Sequence, residues 1–112
     1  MKAPVQFKAL CSLKSHMDVV RGLEFLPGEP STLVTASEDC TLKMWNLASV
    51  TDPGAHNSDL EPYMTLRGHT GPVMSIGAAK GISADENSEL SNLLFSGGVN
   101  GAISVWHLPS SE

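Results

Sequence analysis

Four residues recur in one order and at nearly one spacing: His16, Thr35, Asp39 and Trp45 are answered by His69, Ser96, Asn100 and Trp106. In both sets the hydroxyl residue precedes the turn residue by 4 positions, and the turn residue precedes the tryptophan by 6. The flanking windows match as well, TASEDCTLKMWNL from Thr35 to Leu47 and SGGVNGAISVWHL from Ser96 to Leu108. Self-similarity of this kind limits the fold more than composition does, because each unit must be one supersecondary element that buries its apolar face against a neighbour. The units differ in their loops. His16 to Trp45 spans 29 residues and His69 to Trp106 spans 37, the 8 extra falling most easily within GISADENSEL, residues 81–90. Residues 48–61 lengthen the connection between the units.

The residue types that recur can be linked chemically. An indole N–H buried between sheets needs an acceptor, which a strand hydroxyl supplies; the hydroxyl leans on an imidazole, and the imidazole on a side chain in the tight turn. Each such bond adds only about 0.5–1.5 kcal/mol net, whereas a buried partner left unpaired costs about 1–3 kcal/mol. The network therefore fixes geometry more than it adds stability. Asn100 stands where the first unit has Asp39, so the second network lacks charge assistance and is expected to be weaker. Ser15-His16 also replaces the Gly-His pair formed by Gly68-His69.

Between these marks the chain reads as strands throughout. Phe7 to Leu13 is expected to be an outer strand, followed by Val19 to Phe25, Thr32 to Ser37 and Thr41 to Leu47, with turns at Pro27-Gly28-Glu29-Pro30 and Glu38-Asp39. Tyr63 to Arg67, Val73 to Ala79, Asn92 to Gly97 and Ala102 to Leu108 repeat the set without a closing outer strand. Apolar residues point both ways along the third strands, Leu42 and Met44 against Trp45, as in sheets covered on both faces.

These features resemble WD-repeat propeller blades. The resemblance implies an all-β fold of two four-stranded antiparallel sheets, an incomplete β-propeller. Residues 1–14 form an N-terminal segment with the outer strand of a neighbouring blade; residues 15–67 form the first repeat with an insertion at 48–61; residues 68–108 form the second repeat, and 109–112 a tail. Propellers typically hold about 4 to 8 blades. A two-blade chain is thus expected to be a fragment or to associate through its open blade edges.

Composition narrows the function classes. The net charge of −5 disfavours nucleic acid, despite Lys2, Lys8 and Lys14 near the start, which read as a solvated segment. No run of about 18 apolar residues suggests a membrane span, and the opening residues lack the apolar core of a secretory signal, so a cytoplasmic protein with Cys11 and Cys40 reduced is expected. His16, His56, His69 and His107 lack metal-ligand spacing, and no phosphate-binding glycine loop occurs; neither metal nor cofactor is expected. Ser96, His69 and Asn100 imitate a hydrolase triad but are accounted for as scaffolding, so no catalytic residue is assigned.

SHMDVVRGLEF, EPSTLVTASEDCTLKMWNL, DLEPYMTLRGHTGPV and FSGGVNGAISVW resemble the opening blades of the striatin family. The likeness runs from about Phe7 to Trp106 and is most specific at TASEDCTLKMWNL and DLEPYMTLRGH. It implies a noncatalytic scaffold that regulates protein phosphatase 2A and assembles phosphatase subunits with Mob-like proteins and germinal-center kinases. The family's coiled coil, calmodulin-binding and caveolin-binding segments find no counterpart in these residues. WD geometry further implies that Val19, Arg21 and Glu38, then Pro72, Met74 and Val99, face a channel rim and contact protein partners. The alternative is an adaptor of another complex, such as a ubiquitin-ligase or nuclear assembly.

Overall fold

A computed structural model describes residues 7, 9–48, 50, 60–80 and 92–108. The expected features of residues 1–6, most of the 48–61 insertion, the 81–90 segment and the 109–112 tail lie outside the described residues.

Seven strands form two sheets. β1 (Val20–Leu26), β2 (Glu29–Ser37), β3 (Thr41–Asn46) and β4 (Met64–Arg67) make an antiparallel sheet in chain order, and β5 (Val73–Lys80), β6 (Asn92–Gly98) and β7 (Ile103–Leu108) make a second of three strands. The fold is all-strand and open, a partial WD-type propeller. Every connection within a sheet joins sequence neighbours, so register follows from turn length and from which face is apolar.

The turns explain where strands stop. Pro27-Gly28 closes the first hairpin, Gly28 taking φ +77°, which a side chain would strain. The β2–β3 and β6–β7 turns are built alike: Cys40 N–H donates to the Ser37 carbonyl at 3.3 Å, and Gly101 N–H to the Gly98 carbonyl at 3.1 Å. Gly101 adopts φ +87° and Cys40 φ +76° at corresponding positions. Only the first blade therefore places a side chain in the left-handed region, at a cost of about 1–2 kcal/mol. Both inner strands also carry the same irregularity, between Val20 and Gly22 and between Val73 and Ser75.

The core lies between the sheets. Val34, Ala36, Leu42 and Met44 of the first meet Val73, Leu94 and Leu108 of the second, with Leu66, Ile76, Ala78 and Trp106 packed around them. β1 and β5 run close there, and a Cβ on Gly22 would stand 3.2 Å from Ile76. The outward faces are uncovered: Leu23 and Phe25 are exposed on one side, Ile103 and Val105 on the other.

Phe7 to Leu13 differs from the sequence expectation: its described residues are not in a strand, and Phe7 and Leu10 are exposed. A strand needs an edge to pair with, and β4 already occupies the β3 edge of the first sheet. No helix among the described residues is long and apolar enough to cross a membrane.

Candidate functional site

The polar residues of the first blade form one continuous chain. Asp39 accepts from His16 Nδ1–H at 2.9 Å, which leaves Nε2 to accept from the Thr35 hydroxyl at 2.6 Å. The same Thr35 oxygen accepts the Trp45 indole N–H at 3.0 Å. A carboxylate accepts only, so it sets the imidazole tautomer, and every later donor in the chain follows from that choice. Trp45 is 1% exposed, leaving its N–H no water to turn to.

Asp39 is held more firmly than the sequence reading required. Besides His16, it accepts from the Thr41 hydroxyl at 2.6 Å, the Thr41 N–H at 3.0 Å and the Met17 N–H at 2.9 Å. Burial opposes its charge, but the bonds from Thr41, Met17 and His16 outweigh burial and hold its carboxyl well below the usual carboxylate range. Thr41 was not among the expected network residues, yet Asp39-x-Thr41 is a local Asx-turn pattern legible in the sequence.

The second blade has the inner part of this chain and not its outer end. His69 Nε2 lies 2.6 Å from Ser96 Oγ, which also accepts the Trp106 N–H at 2.8 Å. Among the described residues Asn100 makes no bond to His69; it donates to Thr70 at 3.1 Å and accepts the Ala102 N–H at 3.2 Å. Ala102 corresponds to Thr41, so this turn has neither the carboxylate nor the hydroxyl. Ser96 is 1% exposed and its oxygen is engaged twice, which denies it the access a nucleophile needs. No group of three or more His, Cys, Asp or Glu suited to a metal occurs among the described residues.

Gly68 has a steric reason. A Cβ there would stand 3.0 Å from the Trp106 ring, closer than carbon atoms tolerate without movement. Gly68→Ala is expected to displace Trp106 from Ser96 and cost about 1–3 kcal/mol. Urea denaturation followed by tryptophan fluorescence checks this, with Ser15→Ala as the near-neutral counterpart; equal midpoints for the two would refute the clash.

The expected rim residues group at matching corners. Glu38 N–H donates to the Val19 carbonyl at 2.8 Å, and Val99 N–H to the Pro72 carbonyl at 3.0 Å. Arg21 pairs with Glu38 through two guanidinium nitrogens, while the corresponding Met74 and Val99 are apolar and exposed. Val19 is exposed and Pro72 half-buried. Each corner sits where its inner strand begins, and those inner strands are neighbours. The arrangement offers one charged pair and an apolar set, chemistry suited to a protein surface.

Stacked open blades with this hydroxyl–imidazole–indole bracing define a repeat protein, and the family model for "WD domain, G-beta repeat" matches residues 7–46 and 60–107. The chain belongs to the WD40 family and is a striatin-type WD region. It is 45% identical to Striatin-3 of Homo sapiens over 100 residues, which cover 88% of this chain and 11% of that protein. It is 42% identical to the Striatin homolog of Dictyostelium discoideum over 113 residues, covering 98% and 13%, and 42% identical to Striatin of Homo sapiens over 97 residues, covering 86% and 11%. The chain thus spans 11 to 13% of the length of these curated relatives.

Proposed function

We propose that the chain is a noncatalytic protein-interaction scaffold of the striatin kind, acting in cytoplasmic assemblies of protein phosphatase 2A subunits, Mob-like proteins and germinal-center kinases. The observation that carries this reading is the rim. Val19, Arg21, Met74 and Val99 stand exposed on a frame whose titratable network is turned inward. Buried polar groups that satisfy one another serve geometry, while exposed apolar residues beside an arginine are what protein interfaces favour. Val19, Arg21 and Glu38, with Pro72, Met74 and Val99, are the proposed contact set.

Arg21→Glu reverses the charge beside Glu38 and sets two acids together. Capture of phosphatase 2A subunits and kinases by the tagged chain is expected to weaken roughly 5- to 10-fold, the size of a single interface contact worth about 1 kcal/mol or more. Unchanged capture by the variant removes Arg21 from the contact set. Capture by the unaltered chain of ubiquitin-ligase or nuclear components instead of phosphatase and kinase subunits rejects the proposed assembly.

A further inference from the structure

The two rim corners are built alike and charged differently. The repeat advances by 53 residues from His16 to His69 and by 61 from Trp45 to Trp106. Those offsets carry Asp18 onto Gly71 and Arg21 onto Met74, then Glu38 onto Val99 and Asp39 onto Asn100. Each of these charged residues of the first corner thus has an uncharged counterpart in the second. β1 and β5 are neighbours across the seam, which sets the charged corner beside the apolar one.

The corners stand at strand ends. Asp18 and Pro72 lie ahead of the inner strands, and Glu38 and Val99 lie in the β2–β3 and β6–β7 turns. Blades stack through their sheet faces, so a further blade on either side covers side chains along the strands and leaves these turns open.

The first corner is braced. The Ser37 hydroxyl donates to the Asp18 carbonyl at 3.3 Å, Glu38 N–H to the Val19 carbonyl at 2.8 Å, and Val19 N–H to Asp18 Oδ1 at 2.7 Å. Arg21 brings two guanidinium nitrogens to a single oxygen of Glu38, Oε2. Among the described residues, Asp18 Oδ2 and Glu38 Oε1 have no partner, Asp18 being exposed and Glu38 half-buried. With the half-buried Asp39 beneath them, three carboxylates stand against the one guanidinium. Beside them Met17, Val19, Met74 and Val99 are exposed, Val99 at 61%.

We propose, resting on the rim as the contact surface, that its occupant is a protein segment in which an arginine stands next to an apolar side chain. The cation pairs with Asp18 and Glu38, and the apolar side chain covers Val99 and Met74. Arginine suits the two carboxylates because its planar fork carries five N–H donors and serves two acceptors at once. An acidic segment is disfavoured, since the cation it needs, Arg21, is already held by Glu38 and lies among like charges.

Fluorescence anisotropy of the purified chain with two labelled peptides tests this, one alternating leucine with arginine and the other leucine with glutamate. The arginine peptide is expected to bind, and to weaken as salt rises from about 0.01 M to about 0.15 M, which shortens the screening length from about 30 to about 8 Å. The glutamate peptide is not expected to bind. Asp18→Asn and Glu38→Gln each remove one charge but keep an oxygen for Val19 N–H and for Arg21; each should weaken the arginine peptide about 2- to 5-fold. Val99→Ser should weaken it about 5-fold. Glu61→Gln removes the same charge ahead of Met64, the end of β4 away from the Thr41 turn, and should leave binding unchanged. Failure of the arginine peptide to bind, equal or tighter binding of the glutamate peptide, or an effect of Glu61→Gln as large as that of Asp18→Asn would overturn the proposal. Capture of phosphatase and kinase subunits separates the two levels. If Val99→Ser weakens capture while Asp18→Asn and Glu38→Gln do not, the rim stands as the contact surface and the arginine-bearing occupant is wrong. If none of the three alters capture, the rim itself falls, and this occupant with it.

Discussion

Trp45→Ala is expected to cost about 3–5 kcal/mol, a large share of the roughly 5–15 kcal/mol that holds a typical domain folded. The indole is the largest fully buried side chain, and its removal leaves both a cavity and an unfilled acceptor site on Thr35. Trp106→Ala, at the same repeat position, should cost distinctly less because that ring is only half-buried. Trp45→Phe separates the two effects: it keeps most of the apolar volume and loses the N–H, so a cost near 1–2 kcal/mol is expected. Urea denaturation monitored by circular dichroism gives all three values. Equal losses for the two alanine variants would show that the blades are braced alike and would contradict the asymmetry in burial.

Much of this was legible before any coordinates. The alternation of apolar residues and the doubled spacing of hydroxyl, turn residue and tryptophan place six of the seven strands to within about two residues at their ends. β2 differs most: Glu29 and Pro30 belong to the strand and not to the preceding turn, because the two residues Pro27 and Gly28 make the reversal. Which face each blade buries was not legible. Leu42 and Met44 are covered whereas Ile103 and Val105 are open, although all four have the same repeat signature, because cover depends on a neighbouring sheet and not on the strand's own residues. Phe7 to Leu13 has the pattern of a strand, but its described residues are not in one, because hydrogen-bonding partners for a strand come from an edge elsewhere.

The site divides along the same line. Local chemistry was readable, so Asp39 and Asn100 were distinguished by charge alone. The structure adds that the second turn differs twice over, since Ala102 withholds the hydroxyl that Thr41 supplies, and that Asn100 turns to Thr70. Gly68 matters through a ring 38 residues away, a distance at which sequence patterns carry no steric information.

The difference between the two turns also sets an expected pH dependence. An ordinary aspartate titrates near pH 3.9, and Asp39 in the folded chain titrates below that value because its hydrogen bonds outweigh burial. A lowered folded value means that the unfolded chain takes up the proton first. The stabilisation from Asp39 is therefore complete above the ordinary aspartate value and is lost as the pH falls below it toward the folded one. Asp39→Asn keeps an acceptor for Thr41 but removes the charge from four hydrogen bonds, so a loss of about 1.5–3 kcal/mol is expected at pH 7. The gap between wild type and variant should narrow as the pH drops from about 5 to 2, because over that range the unfolded chain takes up the proton before the folded turn does. Asn100→Ala, in a turn without a charge, should show a smaller and pH-independent loss. Chemical denaturation of the three proteins across that range measures both curves. A wild-type advantage over Asp39→Asn that persists unchanged to pH 2 would mean that the carboxylate is not what braces the first blade.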